Sequence, residues 1–350
     1  MHRTVCFDDV LLTPQYSEIE SRSMVDLSVP GFETTFANLF RSQSPLSCPI
    51  VGSPMDTVIG SHSAAILADM GGFGVLHRYC SIEESMQMYR ETVSKIKNRS
   101  VANNVMVSIG ATGDYFERAH ALYSEGCRAF CIDVAHGHHV NVKTALSVLR
   151  TNFGDSIHIM TGNVATLEAF NALADWGSNS IRTGVGGGSV CTTRIRTGHG
   201  IPTLQSVIDC ARSDRDVYIV ADGGIRNSGD AVKALAAGAD MIMLGSVLAG
   251  HDESPGVLVT KDHHQYKKFR GMASREAQLE WRGKVSVAEG ESTLVPYRGS
   301  LRDTITDFLE GVKSGLSYSG AQNIRDLRGK AKFVQVTSNG VRENGPHGKV

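Results

Sequence analysis

The stretch Gly184-Val185-Gly186-Gly187-Gly188-Ser189-Val190-Cys191-Thr192-Thr193-Arg194 places a thiol on a glycine-rich loop beside a cationic side chain. Glycines lack a Cβ, so backbone N–H groups on such a loop can crowd an anion; Ser189 adds a hydroxyl, and Cys191 rides on the same segment. Bare of context, the stretch reads either as a structural turn or as the seat of a nucleophile. Its place directly after an apolar run, with Arg194 close by, favours the nucleophile.

Two further glycine turns follow apolar runs, Asp222-Gly223-Gly224 and Gly245-Ser246. Exposed amides there suit phosphate, although both also read as ordinary turns. Asp222 would repel phosphate itself, so a ribose hydroxyl is its natural partner. The run Asp133-Val134-Ala135-His136-Gly137-His138-His139 hints at a metal. Adjacent histidines point in different directions, however, and no second carboxylate or cysteine is suitably spaced, so a cofactor or substrate edge is the preferred reading. His263-His264 falls in a polar turn and reads as solvated.

These residues need a scaffold. Eight short apolar runs recur: Pro49–Ser53, Phe73–His77, Val105–Ile109, Ala129–Asp133, Ile157–Thr161, Ser180–Thr183, Tyr218–Ala221 and Met241–Leu244. Continuous rather than alternating hydrophobicity predicts strands buried on both faces, as in a parallel sheet. Segments with helical spacing lie between them, such as Ile82–Lys97, Leu167–Trp176 and Asp230–Ala237, and a last helix is predicted near Leu301–Leu316. Gly126, Gly177 and Gly238 each stand just past a helix and shortly before a strand, the place of a left-handed cap. Eight such units fit a closed (β/α)8 TIM barrel of class α/β, with a doubly wound open sheet as the lesser option.

Active groups then belong just after strand ends, where Asp56, His77, Ser108, Asp133, Asn163, the loop after Thr183, Asp222 and Gly245 stand. Residues 1–48 form an N-terminal leader packing over the barrel. The polar segment 251–300 reads as a mobile active-site flap rather than a core element, and 330–350 as a C-terminal tail whose final residues, Glu343 to Gly348, are loose unless a neighbour holds them. The reading is one barrel catalytic domain over 1–350.

Composition narrows the classes. The 350 residues carry 35 Lys+Arg against 36 Asp+Glu and 41% hydrophobic residues, which describes a soluble globular chain and gives no electrostatic footprint for nucleic acid. No apolar run is long enough to span a bilayer, and Met1 to Asp9 contain no apolar signal core, so a cytoplasmic enzyme or binding protein is expected. Seven scattered cysteines without a close-set pair argue against a disulfide framework or zinc site.

At this point the chain resembles the IMP dehydrogenase/GMP reductase family over nearly its whole length. The resemblance rests on Phe7-Asp8-Asp9-Val10-Leu11-Leu12-Thr13-Pro14, Ser53-Pro54-Met55-Asp56-Thr57-Val58, the Gly184–Arg194 loop, Ala221–Gly224 and Met243–Ser246, in family order. One branch oxidises IMP with NAD; the other reductively deaminates GMP with NADPH. The regulatory CBS modules typical of the dehydrogenase are absent, since only Tyr79–Asn104 fills that interval. Between Met272 and Glu289 there is no Arg-Tyr pair of the kind the dehydrogenase uses to activate water. Ala288-Glu289-Gly290 is similar to the reductase's acid-bearing turn, and Phe269 stands where dehydrogenases usually have a phosphate-binding tyrosine. In the other direction, Val295–Leu301 and the tail from Gly340 to His347 resemble dehydrogenase endings, Gly187 replaces a usual proline, and Ser286 stands near where many reductases have an arginine. The balance favours the reductase; the dehydrogenase and a non-catalytic purine-nucleotide-binding regulatory barrel remain as alternatives.

The resemblance implies catalytic roles for Cys191 as nucleophile and for Thr193 and Glu289 as a proton relay. It implies that Ser189, Asp222, Gly223, Gly224, Gly245 and Ser246, with Gly271, Met272, Ala273 and Gly290 from the flap, hold the GMP or IMP nucleotide. NADPH would lie along Asp133, Val134, Ala135, Val185, Gly186 and Met272, with Arg78 near its extra phosphate. Ser21, Arg22, Ser314, Gly315 and Ser317, from an adjacent subunit, would reach its far end. Gly186, Gly188, Cys191 and Arg194 resemble the family's monovalent-cation loop, which takes potassium, and members are usually homotetramers.

Overall fold

A computed structural model describes residues 3–29, 46–101 and 104–345. Eight parallel strands close into a barrel: β2 (Ile50–Gly52), β3 (Phe73–Leu76), β4 (Val105–Ile109), β5 (Ala129–Asp133), β6 (His158–Val164), β7 (Ser180–Thr183), β8 (Tyr218–Asp222) and β9 (Met241–Leu244). Closure comes from β2 pairing with β9, Val51 opposite Met243. The open-sheet alternative is thereby excluded. Residues pointing inward from successive strands, among them Val51, Phe73, Val75, Met106, Cys131, Met160, Val220 and Met243, form one cluster, joined by Val29 and Leu46 from the leader. A larger cluster lies between the strands and the helices around them. This two-layer burial explains why the strands read as continuous apolar runs.

Seven helices follow the predicted spacing, α1 (Ser61–Asp69), α2 (Ile82–Lys95), α3 (Tyr115–Ser124), α4 (Val140–Phe153), α5 (Leu167–Asp175), α7 (Thr203–Cys210) and α8 (Ser228–Ala236), and the short α6 (Thr193–Thr197) between α5 and α7 was not predicted. Ser81 and Glu84 form a reciprocal capping box at the start of α2, and Asn227 caps α8 through the Asp230 amide. Gly126, Gly177 and Gly238 have φ of 98°, 106° and 119°, a backbone state that side-chain-bearing residues avoid, as their places after α3, α5 and α8 predicted.

Outside the barrel, two expectations need correction. Segment 251–300 is not simply a mobile flap: β10 (Leu258–Lys261), β11 (His264–Arg270) and β12 (Ser292–Pro296) make an antiparallel sheet, and Phe269 is buried in the main core. The Asp262-His263 turn joining β10 to β11 has positive φ at both positions, as a tight hairpin requires, and this is the polar turn in which the histidine pair sits. The charged, alternating sequence of β10 and β11 hid the sheet from a search for apolar runs. Only 271–291, including α9 (Arg275–Arg282), lies over the barrel mouth as a flap.

Nor is 330–350 only a tail. After α10 (Leu301–Tyr318) and α11 (Ile324–Lys330), β13 (Phe333–Gln335) pairs antiparallel with β1 (Val10–Leu12), and α12 (Ser338–Glu343) follows. Leader and tail therefore hold each other. The leader packs on the barrel as anticipated: Phe7 and Val10 enter the core, and Lys233 on α8 donates to the Phe7 carbonyl. Residues 30–45 of the leader and Pro346, His347 and Gly348 of the tail lie outside the described residues. No helix among the described residues is long and apolar enough to cross a membrane.

Candidate active site

The loop after β7 is shaped by close backbone approach. At Gly184, with φ of 140°, a Cβ would fall 2.1 Å from the Asp222 carbonyl oxygen; at Gly223, with φ of 94°, it would meet Gly187 and Gly188 backbone at 3.0 Å. The loops after β7 and β8 thus lie backbone against backbone, an arrangement that only glycine permits. Together they rim a cleft at the C-terminal mouth of the barrel.

Cys191 leads into the short helix α6 and is half-buried. Its Sγ donates to Thr193 Oγ1 at 3.2 Å, and Thr193 Oγ1 donates to Glu289 Oε2 at 2.8 Å. The flap return is stitched to this loop on both sides of Glu289: Thr192 N donates to the Glu289 carbonyl at 2.9 Å, and Glu291 N to the Val190 carbonyl at 2.9 Å. On the other edge, Glu289 N donates to the Ala273 carbonyl. Thiol, hydroxyl and carboxylate form one line of hydrogen bonds, so a proton can pass along it in either direction.

The cleft brings together most of the residues implicated from sequence. Ser189, Cys191, Thr193, Asp222, Gly223, Gly224, Gly245 and Ser246 line it from the barrel; Gly271, Met272, Ala273, Glu289 and Gly290 line it from the flap. Arg78, Asp133, Val134, Ala135, Val185, Gly186 and Gly188 complete its mouth. Arg78 donates from Nε to the Asp133 carbonyl, and its guanidinium lies 4.8 Å from the Tyr79 ring centre.

Others lie elsewhere. Arg194 does not line the cleft: its guanidinium donates to the Ile201 carbonyl, packing across Gly186 and Gly200, which clamps the loop from behind. Ser21 caps the turn Arg22–Met24 away from this chain's cleft. Ser314, Gly315 and Ser317 sit on α10, where Gly315 packs against Val232 so tightly that a Cβ would come within 2.5 Å of it. Asp56 and His77, although at strand ends, serve the flap: Arg270 and Trp281 bond to the Asp56 carboxylate, and the His77 ring lies 6.1 Å from that of Trp281. Of the histidine run, His139 caps α4 through the Asn141 amide, and His138 packs 5.7 Å from the Trp176 ring.

Sequence reasoning missed Arg182. Its side chain rises from β7 into the barrel centre, buried between two carboxylates: Nη1 donates to Asp133 Oδ1 at 2.6 Å, while Nε and Nη2 donate to Asp222 Oδ2 at 3.1 Å. Asn163 Nδ2 adds a 2.8 Å bond to the same Asp222 oxygen. Burial alone works against the guanidinium charge, but the Asp133 and Asp222 carboxylates hold its pKa well above the ordinary arginine value. The signal was available: Arg182 is the one charge in the run Ser180–Thr183, between strands that end in Asp133 and Asp222.

Known proteins resemble this chain over nearly its whole length. A GMP reductase of Vibrio atlanticus (strain LGP32) is 36% identical over 350 residues, covering 98% of this chain and 97% of that protein. An inosine-5'-monophosphate dehydrogenase of Nitrosopumilus maritimus (strain SCM1) is 29% identical over 473 residues, covering 97% of each. The crystal structure of a cysteine-to-alanine variant of GMP reductase from Trypanosoma brucei, in complex with guanosine 5'-monophosphate, superposes with a TM-score of 0.90 at 28% identity, covering 100% of this chain and 99% of that one. The IMP dehydrogenase / GMP reductase domain matches residues 4–347, which leaves only the extremities outside it. The chain is a member of the IMP dehydrogenase/GMP reductase family.

Proposed function

We propose that this protein is a GMP reductase, converting GMP to IMP and ammonia with NADPH. The observation that carries the reading is the line Cys191–Thr193–Glu289 at the cleft. A thiol that displaces an amine must lose a proton, and the departing amine must gain one. Cys191 attacks C2 of the purine, forming the S–C2 bond as the C2–N bond breaks, and the Thr193–Glu289 pair passes the proton that turns the amine into ammonia. NADPH, when bound, would supply a hydride to C2, whereupon the S–C2 bond would break and return the Cys191 thiolate; in sum GMP, NADPH and two protons would become IMP, NADP+ and ammonium.

The residues at the mouth suit such a cofactor: Asp133, Val134, Ala135, Val185 and Gly186 offer it a wall beside Cys191, and Arg78 supplies a cation. Asp222 takes its three internal bonds on one oxygen, which leaves the other for a ribose hydroxyl. Ser189, Gly223, Gly224, Gly245 and Ser246 offer a hydroxyl and amides to the phosphate end, with Gly271, Met272, Ala273 and Gly290 closing over the base. The carbonyls of Gly186, Gly188 and Cys191 are read as ligands of a monovalent cation, potassium. The unit is read as a cytoplasmic homotetramer of single-barrel chains.

Oxidation of IMP by the same thiol would need a base to hydrolyse the intermediate, and no Arg-Tyr pair stands in the flap. The deciding experiment mixes purified protein with GMP and NADPH, and in parallel with IMP and NAD, following cofactor absorbance and ammonia. Loss of NADPH with ammonia release is the expected result. NADH formation in the second mixture alone makes the protein a dehydrogenase, and silence in both points to a regulatory nucleotide-binding barrel.

A further inference from the structure

Gln278 is a buried polar side chain on the flap helix α9, 3% exposed. Its Nε2 donates to the Ala273 carbonyl at 3.0 Å and to the Val287 carbonyl at 3.2 Å. Its Oε1 accepts from Ser286 N at 2.9 Å and from Ser286 Oγ at 3.0 Å. The amide's two protons and two lone pairs are all used. Among the described residues, the hydrogen bonds that reach segment 284–288 all come from Gln278.

That segment leads directly into Glu289. The Ala273 carbonyl that receives Gln278 also receives Glu289 N, at 3.1 Å. One carbonyl thus anchors both the glutamine and the backbone of the acid that reaches Thr193. Ser286 and Val287 have no regular structure of their own, and Val287 is largely exposed. Without the glutamine, the return strand between the αL cap at Gly283 and the bridge at Gly290 would lose its internal register.

We infer that Gln278 is a positioning residue for the deamination step, holding Glu289 at hydrogen-bond distance from Thr193. The inference rests on the relay reading of Glu289 given above. It commits Gln278 to act through Glu289 and through nothing else at the site.

A double-mutant cycle tests this, with GMP-dependent NADPH oxidation and ammonia release as readouts. Gln278→Met, similar in volume but without the amide, is expected to lower kcat by about tenfold or more while KM for GMP stays nearly constant, the signature of a misplaced catalytic group. In a Glu289→Ala background the same change is expected to alter the residual rate by less than about twofold, because the group it positions is gone. Equal losses in both backgrounds, or a full rate in Gln278→Met, overturn the inference. Where Gln278→Met is poorly folded by thermal melting, Gln278→Glu, which keeps the shape and loses the donor, is judged by the same criterion. If Glu289→Ala alone retains the full rate, the relay reading fails, a result distinct from any failure at Gln278.

Discussion

Thr193 and Glu289 are 96 positions apart in sequence, yet the Thr193 hydroxyl donates to the Glu289 carboxylate at 2.8 Å. One belongs to the barrel and the other to the flap, so this bond exists only when the flap is seated. Thr193→Val and Glu289→Gln are each expected to lower kcat for ammonia release about a hundredfold, the usual worth of general acid–base help. The double variant should fall little further, as the proposed single relay requires. Steady-state assays at saturating GMP give the comparison, and additive losses would separate the two roles.

Among the described residues, Cys191 is the sole thiol lining the cleft; Cys131, deeper in the barrel, has its pKa pushed up to about 11 by burial. Cys191→Ala is expected to abolish turnover and retain GMP binding, which equilibrium dialysis with labelled nucleotide would measure. Turnover surviving in that variant would rule out the covalent route.

Arg182 joins the carboxylates of Asp133 and Asp222. Arg182→Met leaves two half-buried acids facing each other without a cation; breaking a fully buried pair costs about 3 kcal/mol or more, and the partial exposure of Asp133 and Asp222 lowers the cost here below that. Urea unfolding should report that loss, and GMP affinity should fall with it because Asp222 is no longer held. A variant with unchanged unfolding midpoint would show that the triad contributes specificity without stability.

His158 starts β6, fully buried with Nε2 2.8 Å from Ser180 Oγ. Burial, aided by the nearby Arg150 charge, lowers its pKa from 6.5 to about 3. The unfolded chain therefore takes up a proton below pH 6.5 that the folded chain refuses until about pH 3. Stability from this group is full above 6.5, declines as pH falls, and is lost completely near 3, with a cost of about 1.4 kcal/mol one unit below the unfolded value. His158→Gln should flatten that part of the acid slope in denaturant titrations; an unchanged slope would assign it to other groups.

Much of the barrel was legible because strands buried on both faces must be apolar throughout: β4, β5, β7 and β9 have the predicted bounds. The glycine loop and Cys191 were legible for a related reason, since close backbone approach leaves few residue choices. The antiparallel sheet β10–β11–β12 was not, because one charged face is open to water and its pattern resembles a loop. Arg182 escaped notice because its partners come from other strands, and the pairing of β13 with β1 joins segments more than three hundred positions apart. Such contacts are products of topology, which local periodicity does not encode.

The ring of barrel hydrogen bonds is complete at Leu244, and the excursion that follows leaves and returns through one narrow gate: Asp252 N donates to the Gly299 carbonyl and Arg298 N to the Gly250 carbonyl, both at 2.9 Å. Lengthening or shortening what lies beyond that gate changes loop-closure entropy by only about 0.6 kcal/mol per doubling. What covers the mouth is thus an insertion into an already closed barrel, seated on it by Phe269 in the core and by Arg270 on Asp56, so its length beyond those two seats can change while the barrel stays closed.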